Sequence, residues 1–349
     1  MLWQDITIAG TGAWIPPIRQ KHEPWDKPVD TGPPSLVALN GFTSAAVSTD
    51  SSPSQMAARA GLKALRHADV TGADLSLLVH ATFQDEDHYA PSAYLLRVLG
   101  GPDTHAFELG AASDGGGAAL VTAAEHLTAR PAAQAAMVTA GVRFRPERWG
   151  HVAEMGHLAG DAGAAVVLTR GTGFARLMAT AQAAQPQLEV LTRARTAADG
   201  SGRPLLVQET GLMPHLDTLR KSTRHCVETV LDETGVRPQG IARVVPIAIG
   251  AEVLDLLLGD APLGLRAADT SWTFGRHLGH AGPCDVLLAL DREFRSGSLR
   301  AGDRVLVVSF GLGFRWTTAL LEITRDPALR DPATGERESV ARRGSEVLS

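Results

Sequence analysis

The side chains in this sequence that are able to do chemistry converge on a serine, a histidine and an aspartate, each close to glycines. Ser113 lies in FELGAASDGGGAAL, Phe107 to Leu120, which reads as a strand entering a helix through a turn of small residues. A helix start carries unpaired N–H groups and the positive end of the dipole, and both favour negative charge. A nucleophile placed there uses its own N–H as half of an oxyanion hole. Gly115, Gly116 and Gly117 let a substrate or another backbone come close. The alternative is structural, since serine is also a preferred N-cap.

The second group is FGRHLGHAGPCDVLLAL, with His277, His280 and Asp285 around Pro283. Proline suits the first turn of a helix. That puts His280 on a glycine-flanked loop and Asp285 within the first helical turn or just after it. Each has a plain reading: Asp285 complements the helix dipole, and His280 is a loop histidine bonded to backbone. With Ser113, however, they supply the nucleophile, base and orienting acid of acyl transfer. The order Ser…His…Asp differs from the Ser…Asp/Glu…His of α/β-hydrolases, and Ala111-Ala112-Ser113-Asp114-Gly115 is not G-x-S-x-G. A metal site of His277, His280 and Asp285, with His151 and His157 in reserve, is the competing reading. It suffers because the two neighbouring histidines straddle a glycine loop and no helix holds them. No metal is therefore expected. A third stretch, SFGLGFRW from Ser309 to Trp316, places glycines directly after a strand. Such a turn either points a backbone N–H into a cleft or simply joins two strands.

These residues need elements to hold them, and the chain offers them twice. The helix MAARAGLKALRHA and strand LSLLVHATF of the first half are matched by LRKSTRHCVETVLDETG and ARVVPIAIG in the second. AAMVTAG matches VLVVSFG, and the closing strands are AGAAVVLT and FRWTTALLEI. The register is steady: Leu77 to Val244 is 244 − 77 = 167 residues, Ser113 to His280 is 280 − 113 = 167, and Gly141 to Gly311 is 311 − 141 = 170. His280 thus occupies the duplicate position of Ser113, and pseudo-symmetry brings both helix starts to one central cleft. Alternating strands and helices predict an α/β fold in layers with largely parallel sheets. The halves are expected at 1–171 and 172–324, followed by a polar tail at 325–349. The Pro-, Ser- and Thr-rich segment from Lys21 to Ser54 is expected to be a surface excursion with little regular structure.

Bulk properties narrow the partners. The 349 residues are 44% hydrophobic and 20% charged, with a net charge of −5, as in ordinary globular enzymes and unlike nucleic-acid or anionic-membrane binders. Cys226 and Cys284 make no disulfide framework and no CxxC pair. No signal-like opening and no apolar run of membrane-spanning length occurs, so a cytoplasmic protein is expected.

GAASDGGGAAL, the GDAGAAVVL segment from Gly160 and VLVVSFGLGFRWTTALL together resemble the ketosynthase III-like enzymes of the thiolase superfamily, over about residues 5 to 324. The resemblance implies a five-layer αβαβα fold, internally duplicated, and a homodimer with active sites near the subunit interface. It puts Ser113 where the family has its cysteine, with an oxyanion hole from the backbone N–H of Ser113 and Leu312. It also exposes departures. The V-P-H-Q-A-N histidine is replaced by Ile247 in V-P-I-A-I-G, the family asparagine falls near Arg276, and the W-I-x-x-R-T-G-I stretch that docks coenzyme A is replaced by SLVALNGFTS. Without that histidine and asparagine the usual decarboxylative condensation loses its carbanion-stabilising pair. Gly279-His280-Ala281-Gly282-Pro283-Cys284-Asp285 instead matches the G-H-x-G-P-x-D pattern of acyltransferases of secondary metabolism, and a serine nucleophile resembles the group tied to starter-unit selection in aromatic polyketide, notably anthracycline, biosynthesis. The expected function is acyl transfer from acyl-CoA, or from an acyl carrier protein, through an acyl-serine, with no bound cofactor. The alternatives are a decarboxylating synthase that primes a type II polyketide synthase, and a non-catalytic homologue.

Overall fold

The computed structural model describes residues 1–21, 40–83, 85, 87–101, 103–144, 157–192, 215–260 and 262–327. Nine of its strands form one sheet: β1 (Ile6–Trp14), β4 (Leu75–Thr82), β5 (His105–Leu109), β6 (Ala135–Val142), β7 (Ala162–Arg170), β8 (Ala175–Ala184), β9 (Arg243–Pro246), β10 (Arg304–Gly311) and β11 (Arg315–Ile323). Two more, β2 (Ile18–Lys21) and β3 (Ser44–Val47), pair separately. Among the described residues the helices of eight residues or more are α1 (Pro53–Ala68), α2 (Pro91–Leu99), α3 (Gly115–Ala129), α4 (Leu216–Thr234), α5 (Ala251–Leu258) and α6 (Asp285–Arg295).

The duplication is visible in the strand order, β5-β4-β6-β7-β1-β8-β11-β10-β9. Read outwards from the β1–β8 seam, β7 corresponds to β11, β6 to β10 and β4 to β9. The seam is short: the strands pair at Thr7↔Arg176 and Ile8↔Ala175, and the first residues continue the join through the Leu2↔Ala179 bridge and the Trp3 N–H on the Met178 carbonyl. The two halves of the sheet fold towards each other with α3 and α6 between them. α3 packs on β4, β6 and β7 of one half and on β10 and β11 of the other. α1 and α2 cover one outer face, α4 and α5 the other. This is the five-layer αβαβα arrangement.

Residue choice explains the layers. α3 is glycine and alanine at its start and buried on most of its circumference, as a helix sandwiched between two sheets must be. α1 has one apolar face, begins at a Ser52/Gln55 capping box with Pro53 next, and ends at Asp69 in the left-handed region. It sits directly on β1 because Gly10 and Gly12 have no side chains. A Cβ on either would lie 2.2 Å from the Ala64 carbonyl oxygen or 2.1 Å from that of Ala60.

Two expectations are corrected. The sheet is not largely parallel: β4–β5, β4–β6 and β9–β10 are parallel, but β6–β7, β1–β7, β1–β8, β8–β11 and β10–β11 are antiparallel. Parallel pairing occurs only where a helical crossover intervenes. The tight turn after Gly311 forces β10 and β11 into a hairpin. Nor is the Lys21–Ser54 segment simply a surface excursion. Residues 22–39 lie outside the described residues, but β3 pairs antiparallel with β2, and Phe42, Ala45 and Ala46 are buried. Phe42 meets Trp272 edge-on at 4.7 Å, and the backbone of Ala46 is bonded to Leu278 on one side and Asp161 on the other. Of the expected tail, residues 328–349 lie outside the described residues.

Candidate active site

Ser113 follows Ala112, whose φ of 49° is strained for a residue with a side chain, in a short turn (Ala112–Asp114) that runs straight into α3. It is not an N-cap. Asp114 holds that position for α3, while the Ser113 hydroxyl is 2.8 Å from His280 Nε2. The structural alternative for the serine is therefore not realised.

His280 is fixed through its backbone before its ring is considered. Its N–H donates to the Leu158 carbonyl at 2.6 Å and its carbonyl accepts from Gly160 N–H at 2.9 Å, stitching the loop to the start of the GDAG segment. Gly160 permits this, since a Cβ there would lie 2.0 Å from the Leu278 carbonyl oxygen. The chain then turns through Gly282–Cys284, with Pro283 inside that turn, and Asp285 opens α6. Asp285 accepts from His280 Nδ1 at 2.6 Å and Ala248 N–H at 2.9 Å through Oδ2, and from Ala281 N–H at 2.7 Å through Oδ1. A carboxylate offers only acceptors, so Nδ1 carries the ring hydrogen and Nε2 is left to accept the serine proton. Ser113, His280 and Asp285 are exposed by only 7%, 7% and 6%, so the whole line lies out of bulk water.

The β10–β11 turn reaches the same place. A Cβ on Gly311 would lie 2.6 Å from Asp114 N and 2.9 Å from Ser113 N, so the end of β10 presses on the serine turn. Half-buried Leu312 follows, and Gly313 and Phe314, both at positive φ, send the chain back into β11.

The remaining residues of interest scatter. His277 points away on the surface, its Nδ1 2.6 Å from Thr43 Oγ1. Arg276 is half-buried, with its carbonyl accepting from Thr43. Ile247 is buried, its N–H donating to Val308. His151 lies outside the described residues. Among the described residues no group of three or more His, Cys, Asp or Glu is placed to hold a metal ion. His157 does reach the site, ring to ring with His280 at 5.4 Å. Burial and the neighbouring His280 push its pKa down to about 3, so it is neutral; it is bonded to the Ile249 backbone, and its Nδ1 is buried without a partner.

Sequence reasoning held His157 only in reserve for a metal, and missed the Ala248 N–H and the burial of Asp114 beside the serine. A histidine paired only in space leaves no spacing signal, and backbone donors leave none at all.

An αβαβα fold with a small-residue nucleophile turn at the centre of a duplication defines the thiolase superfamily. Within it, the chain belongs to the ketosynthase III-like family. The family model for the 3-oxoacyl-[acyl-carrier-protein] synthase III C terminal matches residues 231–323. The structure of ChlB3, an acyltransferase, superposes with a TM-score of 0.78 at 30% identity, covering 93% of this chain and 99% of that one. The beta-ketoacyl-[acyl-carrier-protein] synthase III of Aquifex aeolicus (strain VF5) is 24% identical over 315 residues, 90% of this chain and 98% of that protein. The priming beta-ketosynthase of the R1128 polyketide pathway shares the fold, with a TM-score of 0.76 at 19% identity over 93% of this chain and 98% of that one. Membership puts the chain in a family of acyl-transferring enzymes. Among the described residues no helix is long and apolar enough to cross a membrane.

Proposed function

We propose that this protein is an acyltransferase of secondary metabolism, of the starter-unit type found in aromatic polyketide biosynthesis. It moves a short acyl group from a coenzyme A or carrier-protein thioester, through an ester on Ser113, to an acceptor. The observation that carries the reading is the unbroken hydrogen-bond line Ser113–His280–Asp285, at 2.8 and 2.6 Å. The likeness to ChlB3 supports it.

In the first step Ser113 Oγ attacks the thioester carbonyl as His280 Nε2 takes its proton. Asp285 keeps the ring in the productive tautomer and balances the imidazolium charge. The N–H groups of Ser113 and Leu312 hold the oxyanion. Collapse expels the thiol, which leaves with the proton from His280. In the second step His280 takes a proton from the acceptor's hydroxyl, amine or thiol as that atom attacks the ester, then returns it to Ser113. Ile247, in the place of the family's histidine, has no group to stabilise a carbanion, which favours transfer of an intact acyl group over decarboxylation. The working unit is proposed to be a homodimer. β5, at the end of the nine-stranded sheet, offers a free edge for it among the described residues.

Intact-mass measurement against a panel of acyl-CoAs tests the first step, with a mass shift expected on Ser113. Labelled malonyl-carrier protein added to the acyl-enzyme tests the second. Rapid, acyl-dependent loss of labelled CO₂ with a β-ketoacyl product establishes a priming synthase instead. No acylation by any thioester in the panel establishes a non-catalytic homologue.

A further inference from the structure

Asp114, the residue after Ser113, is a carboxyl group in an apolar layer. It is 2% exposed. Its Oδ2 accepts from Thr317 Oγ1 at 2.9 Å, but its Oδ1 is buried with no hydrogen bond. The Ser309 hydroxyl, on β10, is likewise buried and close to the carboxyl, without a well-aligned hydrogen bond. Ser309 and Thr317 are cross-strand partners in the β10–β11 hairpin, so both face the start of α3. The two orphans surround one point. A Cβ on Gly117 would lie 3.1 Å from Asp114 Oδ1, 3.1 Å from Ser309 Cβ and 3.0 Å from Thr317 Cβ.

A carboxylate and a hydroxyl lacking an aligned bond leave two buried polar atoms unsatisfied, which is costly. Buried with only neutral hydroxyls as hydrogen-bond partners, the carboxyl is disfavoured in its charged form, and once protonated it can itself donate to Ser309 Oγ. The charged surroundings do not oppose this. From β11 the facing cation is Arg315, whose guanidinium donates to the Gly110 carbonyl. From α4 the facing group is Cys226, whose thiol is pushed up to about 12, chiefly by burial, and so is uncharged. β10 and α3 present Ser309 and Gly117 at that point, and the Gly282–Cys284 turn packed on the serine turn brings the Cys284 thiol, which burial also pushes well up.

We propose that Asp114 works as a neutral carboxylic acid that clamps the nucleophile turn to the β10–β11 hairpin, and that its ionisation slows acylation of Ser113. The clamp lies beside the oxyanion loop, since β10 runs from Ser309 to Gly311, which presses on Ser113 N and leads into Leu312. Ionisation acts twice in the same direction. It removes the acid's own donation to Ser309, and it sets a negative charge one residue from the Ser113 N–H that must hold the oxyanion. Burial, the largest influence, raises the carboxyl to about 7, against smaller opposing effects of Ser309, Thr317 and Arg315, so the switch falls in the working pH range.

The inference rests on the acyl-serine reading above, and the test separates the two. Single-turnover acylation by acetyl- or propionyl-CoA is followed by intact mass from pH 5.5 to 9 in wild type, D114N and D114A. Asparagine keeps a donor and cannot ionise. The wild-type rate relative to D114N is expected to fall by about 10-fold or more between pH 6 and 8.5, as the protonated fraction of a group titrating near 7 falls. D114A is expected to be slow at every pH. The second readout needs no acylation. Because the folded carboxyl is raised above its unfolded value near 4, its stabilising protonation is lost as pH rises from 4 to 7. The melting temperature of wild type should therefore drop against that of D114N across that window and run parallel above it. Parallel rates and parallel melting temperatures in wild type and D114N overturn the proposal, as does D114A acylating as fast as D114N. If D114A does not fold, the D114N profiles alone decide. Absence of acylation with a pH-dependent melting difference refutes the acyl-serine reading and leaves the clamp intact.

Discussion

Replacing Asp285 with asparagine isolates what the carboxylate does for His280. The side chain now receives three donors, His280 Nδ1 and Ala248 N–H on Oδ2 and Ala281 N–H on Oδ1. An amide has one acceptor oxygen. With that oxygen towards His280, its NH₂ meets the Ala281 N–H and that bond is lost. Turned over, it loses the Ala248 bond, and its NH₂ forces the imidazole into the tautomer whose Nε2 cannot accept the Ser113 proton. Either way one charge-assisted bond goes, so folding stability should fall by about 1.5–3 kcal/mol. The catalytic loss is larger. Charges roughly 4 Å apart at an effective dielectric near 20 attract by about 4 kcal/mol, a factor of about 10³ in forming the imidazolium. Single-turnover acylation, quenched and read by intact mass, should thus slow by about 10³-fold in D285N, with the wrong tautomer adding to this. Denaturant unfolding of the same sample gives the stability term. A D285N enzyme that loses stability but acylates within about 10-fold of wild type would refute the reasoning, and would leave Asp285 as a loop anchor only.

Ser113→Ala should fold and take up no acyl group, and a label found on another residue in that variant removes Ser113 from its role. His280→Ala should slow acylation by about 10² to 10⁴, the usual worth of a positioned base, whereas His277→Ala, on the surface beside Thr43, should leave the rate unchanged. The reverse outcome in that pair assigns the base to His277. Gly116→Ala puts a Cβ 2.4 Å from the Pro283 carbonyl oxygen, backbone that has no easy way to yield. It should cost about 1–3 kcal/mol in denaturant unfolding and slow acylation by spreading α3 from α6; wild-type behaviour on both counts contradicts the packing described here.

The duplication was legible because equivalent elements recur at near-constant offsets, and that offset alone paired Ser113 with His280. Glycine placement carried further information: Gly10, Gly12, Gly116 and Gly160 each stand where another backbone passes too close for a side chain. Strand direction was not legible. It depends on whether a hairpin or a crossover joins two strands, and the hydrophobic pattern is the same for both. The β2–β3 pair was hidden in a Pro- and Ser-rich stretch whose composition reads as loop, because Phe42 and Ala46 become core only when Trp272 and Leu278 arrive from far along the chain. Asp114 was passed over as one more polar residue in a turn of small ones. Its proposed role comes from Ser309 and Thr317, far along the chain on β10 and β11, and from its burial.

The proposed nucleophile and base, Ser113 and His280, come from opposite halves of the duplication, 167 residues apart. Contacts of that sequence separation carry a high loop-closure cost and are slow to form. Either half can build its strands and outer helices from nearer neighbours, but the 2.8 Å approach of Ser113 to His280 exists only once α3 and α6 have docked across the seam. On the proposed mechanism, reactivity is thus a late event of folding. A chain that has regained its helix and sheet content can still be inert, and on that reading uptake of an acyl group marks the moment at which the two halves have become one enzyme.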